Sequence, residues 1–259
     1  TQSTWGFQVN HHHLAYIPMA ATLTDRCAPE TLPKEVEPTD AQPHLFDGTS
    51  RLYMCYTCPF AQRVWITRNY KGLQHHIKLI PINLQAKPAW YADNVYSPGK
   101  VPSLEHDGKV IGESLDLIKY VDANFDGPAL WPEDPAKRAF ADEMFALAEK
   151  FAGPIYGAFG KPNAAAIAGP SFDELEEALG KYEEGCFFLG QFSLVDIAFV
   201  TLVMRFQIWL VEGAEYDPIL GRPKLALWLQ EMDKIEAYKQ TKPDPNGLIA
   251  YYRMKFPGN

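Results

Sequence analysis

A cysteine stands at residue 58, where a strand-like run gives way to a helical one. Arg51-Leu52-Tyr53-Met54-Cys55-Tyr56 precedes it, and Pro59 to Lys71 reads as a helix stopped by Gly72. Unpaired backbone N–H groups and the positive end of the helix dipole converge at such a junction and favour an anion. A thiol held there tends toward thiolate, the nucleophilic form. Cys58 is therefore the candidate catalytic residue.

Cys55-Tyr56-Thr57-Cys58 also has the spacing of a dithiol redox motif, with Cys55 attacking and Cys58 resolving. The register argues against it. In that arrangement the attacking cysteine caps the helix and its partner lies one turn inside. Here Cys58, followed by Pro59, holds the cap position, and one turn inside is Ala61, which cannot close a disulfide. Cys55 falls at the end of the strand and reads as a packed residue.

Two further places could hold a ligand. Val101-Pro102 precedes a strand, and a cis bond there would turn the Val101 N–H and C=O outward toward an extended ligand; a plain turn proline is the other reading. Glu113-Ser114 opens a helix and offers a carboxylate, a hydroxyl and free N–H groups. These suit a ligand with both an ammonium and a carboxylate, and they equally suit simple N-capping.

The elements that must position these residues follow from the patterning. Strand one covers about 51–56 and the first helix 59–71. Ile77 to Ile82 reads as a second strand, with Pro81 marking an edge or an end. A short helical turn is expected around 88–93. Two strands flank Asp107-Gly108, a strong hairpin signal, and a helix covers 114–124. The order is βαβαββα, over residues 48–126. Gly127–Pro132 reads as a linker, and residues 133–255 read as all helix. That half opens on Asp134-Pro135, a cap followed by proline, and continues with Phe140, Met144, Phe145, Ala148 and Phe151 at helical spacing. An acidic amphipathic stretch covers 171–184. Ser193-Leu194-Val195-Asp196 has the spacing of a capping box before a run apolar nearly all round, which marks a central buried helix. The last helices cover about 223–235 and 247–254.

Of the 259 residues, 47% are hydrophobic and 22% charged, the composition of a globular protein of one large or two smaller domains. The net charge of −8 and the lack of a Lys/Arg cluster argue against nucleic-acid binding. The most apolar stretch, Ile197 to Met204, is far shorter than the roughly 20 residues that cross a bilayer. Four cysteines in so long a chain do not make a secreted disulfide framework, so a reducing compartment is expected. Residues 1–47 contain Pro18, Pro29, Pro33, Pro38 and Pro43 without apolar periodicity and read as a disordered leader. The chain lacks an initiator methionine and reads as processed or truncated, with Met19-Ala20-Ala21 as a start for the core protein. Residues 1–18 hold no Lys or Arg, unlike a secretory or transit signal. His11-His12-His13 could bind metal, or be a partial tag or chance run.

Cys-Pro-Phe-Ala after a strand, Val-Pro before a hairpin, Glu-Ser at a helix start and a capped buried helix together resemble the cysteine-type glutathione transferases. Leu45–Thr49, Cys58–Arg68, Pro88–Tyr91, Val101–His106, Gly112–Asp122, Phe188–Ser193 and Lys234–Tyr238 look like the plant lambda class. The resemblance spans roughly residues 45–255. It implies a thioredoxin-like glutathione-binding domain followed by an all-helical domain lining a second, more apolar pocket. It also implies roles: Cys58 as catalytic thiol, Phe60 packed beside glutathione, and Lys87 paired with the glycine carboxylate. Val101, ahead of Pro102, would bond the cysteinyl backbone, and Glu113 with Ser114 would hold the γ-glutamyl end. Glutathione is then the co-substrate, with no metal.

The activity implied is thiol exchange, removing glutathione from mixed disulfides or from aromatic, flavonol-like adducts, with weak conjugation. Dehydroascorbate reduction and non-catalytic carriage of apolar small molecules are the alternatives. A chloride-channel-like member of the superfamily also carries Cys-Pro-Phe, but Arg63, Arg68 and Lys71 interrupt the apolar segment that insertion would need. Tyr156, Phe159, Phe206 and Trp209 either line the second pocket or pack the core. The resemblance leans toward a monomer, free of nucleic acid and membrane, in the cytosol, or in a plastid if residues 1–18 belong to a longer leader.

Overall fold

The computed structural model describes residues 29–256. Its first strand, β1 (Ser50–Met54), carries Leu52, Tyr53 and Met54 fully buried, so both faces are covered and the strand lies inside the sheet. Helix α1 (Pro59–Tyr70) follows, then β2 (Ile77–Pro81), β3 (Ser103–His106), β4 (Lys109–Ile111) and helix α2 (Ser114–Asn124). The sheet order is β2-β1-β3-β4, with β1 parallel to β2 and antiparallel to β3. Leu52 pairs with Leu79 on one side and Leu104 on the other. Asp107 and Gly108 both take positive φ, 51° and 73°, as the two-residue β3–β4 turn requires. This is the thioredoxin-like arrangement expected. The helical turn expected near 88–93 is a single π-type turn at Tyr91–Val95, closed by the Tyr96 N–H on the Tyr91 carbonyl.

The second half is helical: α3 (Pro135–Ala158), α4 (Ala164–Ala178), α5 (Leu194–Ala214), α6 (Pro223–Met232), α7 (Glu236–Lys239) and α8 (Pro245–Lys255). Asp134 caps α3 by accepting from the Lys137 N–H. Helix α4 starts well before the acidic stretch at 171–184 and passes through Pro170, so the charge pattern marked only its solvent face. Helix α5 is long and apolar enough, by length and composition, to cross a membrane, which the eight-residue run did not suggest. Most of it is buried within the protein, as its nearly all-round apolar character anticipated.

Residues 29–47, read from sequence as the end of a disordered leader, make specific contacts. The Val36 N–H donates to the Pro81 carbonyl, and Val36 bridges to Ile82 beyond the edge of β2. The Tyr56 hydroxyl donates to the Pro33 carbonyl, the Trp90 indole to the Asp40 carbonyl, and Glu30 pairs with the buried Arg68. These contacts follow no apolar periodicity, so composition could not reveal them. Met19, the histidine run and the rest of the first 28 residues lie outside the described residues.

Ser193 and Asp196 form the capping box of α5. The fully buried Asp196 carboxylate accepts from four donors: the Trp228 indole at 2.9 Å, the Phe188 N–H, the Ser193 N–H and the Ser193 hydroxyl. It thereby ties α5 to α6. Burial nonetheless pushes its pKa up, to about 6. Asp196→Ala leaves these donors buried without an acceptor and is expected to cost about 3 kcal/mol of unfolding free energy by urea denaturation. A carboxyl whose folded pKa is raised contributes stability at low pH and loses it as pH rises through about 6. The deficit of the variant should therefore be larger at pH 5 than at pH 8.

Candidate functional site

Cys58 is the N-cap of α1, with extended backbone and Pro59 at the first helical position. Its N–H bonds the Cys55 carbonyl, and its carbonyl accepts the first helical bond from the Gln62 N–H. The half-buried sulfur lies 3.8 Å from the Val101 carbonyl oxygen. Ala61, one turn on, is fully buried. Cys55 is buried beyond the end of β1, its sulfur 3.4 Å from the Thr57 hydroxyl.

The Val101-Pro102 peptide is cis. The loop carrying it lies across from the α1 N-terminus, as the contact between Val101 and Cys58 records. Lys87 reaches the same loop, its ammonium donating to the Gly99 carbonyl at 3.0 Å while its side chain stays exposed.

Glu113 occupies the N-cap of α2 but makes no side-chain cap bond, so N-capping does not account for its carboxylate. Its backbone sits at φ 63°, ψ 111°, a conformation non-glycine residues rarely adopt, and its side chain is exposed. At Gly112 before it, a Cβ would lie 1.8 Å from the Tyr96 hydroxyl, so any side chain there would have to displace the Tyr96 ring. Ser114 is buried and its hydroxyl accepts from Arg63 at 3.0 Å. Arg63 also donates twice to the Ala198 carbonyl of α5 and lies over the partly exposed Phe60 ring, 5.3 Å from its centroid. One buried guanidinium thus joins the start of α2, the first turn of α1 and the helical half.

A second buried guanidinium, Arg205 of α5, donates to the Thr57 carbonyl at 3.1 Å and to Gln62 at 2.6 Å. Neither arginine stands out as a site residue in the sequence. A lone arginine breaking the apolar run of α5 was the available signal for Arg205.

The expectation of an acidified thiol needs correction. Burial pushes the Cys58 thiol up from its ordinary value, and it is the largest influence. The N–H groups of Ala61 and Phe60 and the charge of Arg205 act in the opposite direction. The helix terminus was legible from the sequence, whereas the burial of the sulfur was not.

Of the four aromatics left between pocket and core, Phe159, Phe206 and Trp209 are core, with Phe206 fully buried. Tyr156 is 42% exposed and close enough to Cys58 and Arg205 to feel both charges. Among the described residues no group of three His, Cys, Asp or Glu side chains could hold a metal ion.

Residues 52–129 match the family model described as "Glutathione S-transferase, N-terminal domain", and residues 141–231 match "Glutathione S-transferase, C-terminal domain". The chain is 53% identical over 233 residues to Protein IN2-1 homolog A of Oryza sativa subsp. japonica, covering 89% of this chain and 96% of that protein. It is 52% identical over 219 residues to Glutathione S-transferase L1 of Arabidopsis thaliana, covering 84% and 92%. Among solved structures, glutathione transferase Omega 1C from Trametes versicolor superposes with a TM-score of 0.71 at 22% identity, over 82% of this chain and 98% of that one. That last likeness speaks for the fold alone.

The packing of Cys55 yields a direct expectation. Cys55→Ser should retain the fold and leave the reactivity of Cys58 toward a thiol reagent unchanged within about twofold, since the Thr57 hydroxyl gives a buried serine a hydrogen-bond partner. A loss of Cys58 reactivity in that variant, followed by peptide mapping of the modified protein, would restore the dithiol reading.

Proposed function

This chain belongs to the glutathione S-transferase family, in its plant lambda class, and on that premise we propose that it is a glutathione-dependent thiol transferase working through Cys58 alone. The observation that carries the reading is the setting of the thiol. Cys58 caps α1 facing the cis-proline loop, and the position one turn inside is a buried alanine that cannot resolve a disulfide.

The exchange runs in two displacements. The Cys58 thiolate attacks the glutathionyl sulfur of a mixed disulfide; a Cys58–glutathione disulfide forms, the substrate S–S bond breaks, and the released thiolate takes a proton. With a glutathione adduct of an aromatic compound, the bond broken is S–C, and the carbon centre leaves with the electron pair and is protonated. A second glutathione thiolate then attacks the sulfur of the bound glutathione, giving oxidised glutathione and returning Cys58 as thiolate. A serine or tyrosine at this position would instead stabilise the glutathione thiolate for conjugation. A cysteine instead takes over the glutathionyl group of a mixed disulfide or adduct as that substrate bond breaks, which makes conjugation the weaker activity.

Binding is assigned to the groups around the thiol. Val101, held ahead of cis Pro102, presents backbone groups to the cysteinyl part of glutathione. Lys87 takes the glycine carboxylate, Glu113 and Ser114 take the γ-glutamyl end, and Phe60 flanks the site. The contact of Lys87 with Gly99, two residues before Val101, and the bond from Arg63 of α1 to Ser114 support this division.

Cys58→Ser is expected to abolish turnover of a glutathione mixed disulfide while glutathione binding, read by calorimetry, stays within about threefold. Normal turnover in that variant would refute the mechanism. Lys87→Ala should raise the KM for glutathione about tenfold with kcat little changed, the signature of a lost binding contact. An unchanged KM in steady-state kinetics would remove Lys87 from the site.

A further inference from the structure

Two buried arginines flank the thiol without a carboxylate. Arg205 is 1% exposed and Arg63 is 2% exposed, and among the described residues neither forms an ion pair. Buried charges in proteins are ordinarily paired, because desolvation is costly. Other buried cations here follow that rule: Arg51 pairs with Glu105, Arg68 with Glu30 and Lys71 with Asp122. The arginines beside Cys58 are therefore exceptions within this protein.

Arg205 has the closer connection to the reacting turn. One nitrogen donates to the carbonyl of Thr57, the residue before Cys58, at 3.1 Å. Another donates to Gln62 at 2.6 Å and to the Thr201 carbonyl at 2.7 Å. Gln62 in turn donates its N–H to the Cys58 carbonyl and its amide to Thr241. Among the described residues the guanidinium Nε is buried with no partner. All its hydrogen-bond acceptors are neutral, so its positive charge is left uncompensated beside the sulfur.

We infer that Arg205 is a positioning residue for Cys58: its fork fixes the Thr57–Cys58 turn, and its unpaired buried charge stabilises the Cys58 thiolate. This rests on the reading of Cys58 as the reacting thiol.

The groups facing the sulfur are consistent with that role. They are Cys55 from the end of β1, Arg63 from α1, Tyr156 from α3 and Arg205 from α5, with no carboxylate among them. Tyr238 of α7 also faces Arg205. Burial lowers the Arg205 pKa only to about 10, so it remains cationic at neutral pH. Arg205 opposes the burial that pushes the thiol up. An isolated cation is effective here because a carboxylate partner would cancel its field at the sulfur.

The test is the pH profile of Cys58 alkylation by iodoacetamide in the full chain. The Cys55→Ser background leaves Cys58 as the one cysteine in its peptide, and the rate is read by mass mapping. The midpoint is the quantity of interest, since thiolate nucleophilicity itself changes with pKa. Arg205→Met is expected to raise the midpoint by about one pH unit, roughly tenfold less thiolate at neutral pH, and Arg205→Lys to recover most of that shift. An unmoved midpoint in Arg205→Met overturns the inference. Equal shifts in Met and Lys variants also overturn it, because the charge would then not be the agent. If Arg205→Met does not fold, Gln62→Glu carries the test by placing a carboxylate on Arg205: the midpoint must rise, and an unchanged one refutes the inference. Alkylation reports the ionisation of Cys58 whether or not turnover uses it. A failure of the thiol-transfer reading would appear separately, as turnover surviving Cys58→Ser.

Discussion

Helix α1 is buried along nearly its whole length, from Ala61 to Asn69, although it carries Gln62, Arg63, Thr67, Arg68 and Asn69. Polar groups taken out of water must find partners inside, and each that fails costs on the order of 1–3 kcal/mol. The surrounding structure supplies them. Arg63 reaches α5 and α2, Arg68 reaches Glu30 and the Ile77 carbonyl, and Gln62 reaches Thr241 and Arg205. Satisfying one buried helix therefore binds together the sheet, the segment before it and the helical half.

The site is a consequence of that arrangement. The N-terminus of α1 emerges at the seam between the two halves, so Cys58 is fixed by partners from both. The cis-proline loop faces it from the sheet, and the start of α2 is tied through Arg63 to the same helix turn. Arg205 of α5 secures the residue before the thiol. Short contacts from three chain segments leave the turn at Cys58 little freedom to rearrange, as the proposed exchange would require. The thiol itself is poised between opposing influences. Burial favours its neutral form, while the helix terminus and the buried arginine favour the anion.

Much of this was legible in the sequence. Pro59 after Cys58 set the cap, Asp107-Gly108 set the hairpin, and Ser193 with Asp196 marked the start of the central helix, all through local rules acting within a few residues. The contacts of residues 29–47 were not legible, because they are hydrogen bonds and an ion pair to distant strands and helices. The roles of Arg63 and Arg205 were hidden for a related reason. A charged residue on a helix reads as solvent-facing or as a break in an apolar run until the fold shows that both faces are covered. Burial of the Cys58 thiol, set by the packing of separate segments, was likewise beyond any local pattern. Of the aromatics considered for a second pocket, only the tertiary structure separates exposed Tyr156 from buried Phe159, Phe206 and Trp209.

The central claim is that a single thiol carries the exchange, and the most direct test is the intact mass of the reduced protein after treatment with oxidised glutathione, followed by peptide mapping. The account predicts a glutathione attached through a disulfide to Cys58, with Cys55 unmodified. A Cys55–Cys58 disulfide, seen as the loss of two hydrogens, would contradict it in favour of a dithiol mechanism, and an unmodified Cys58 would contradict the assignment of that residue as the nucleophile.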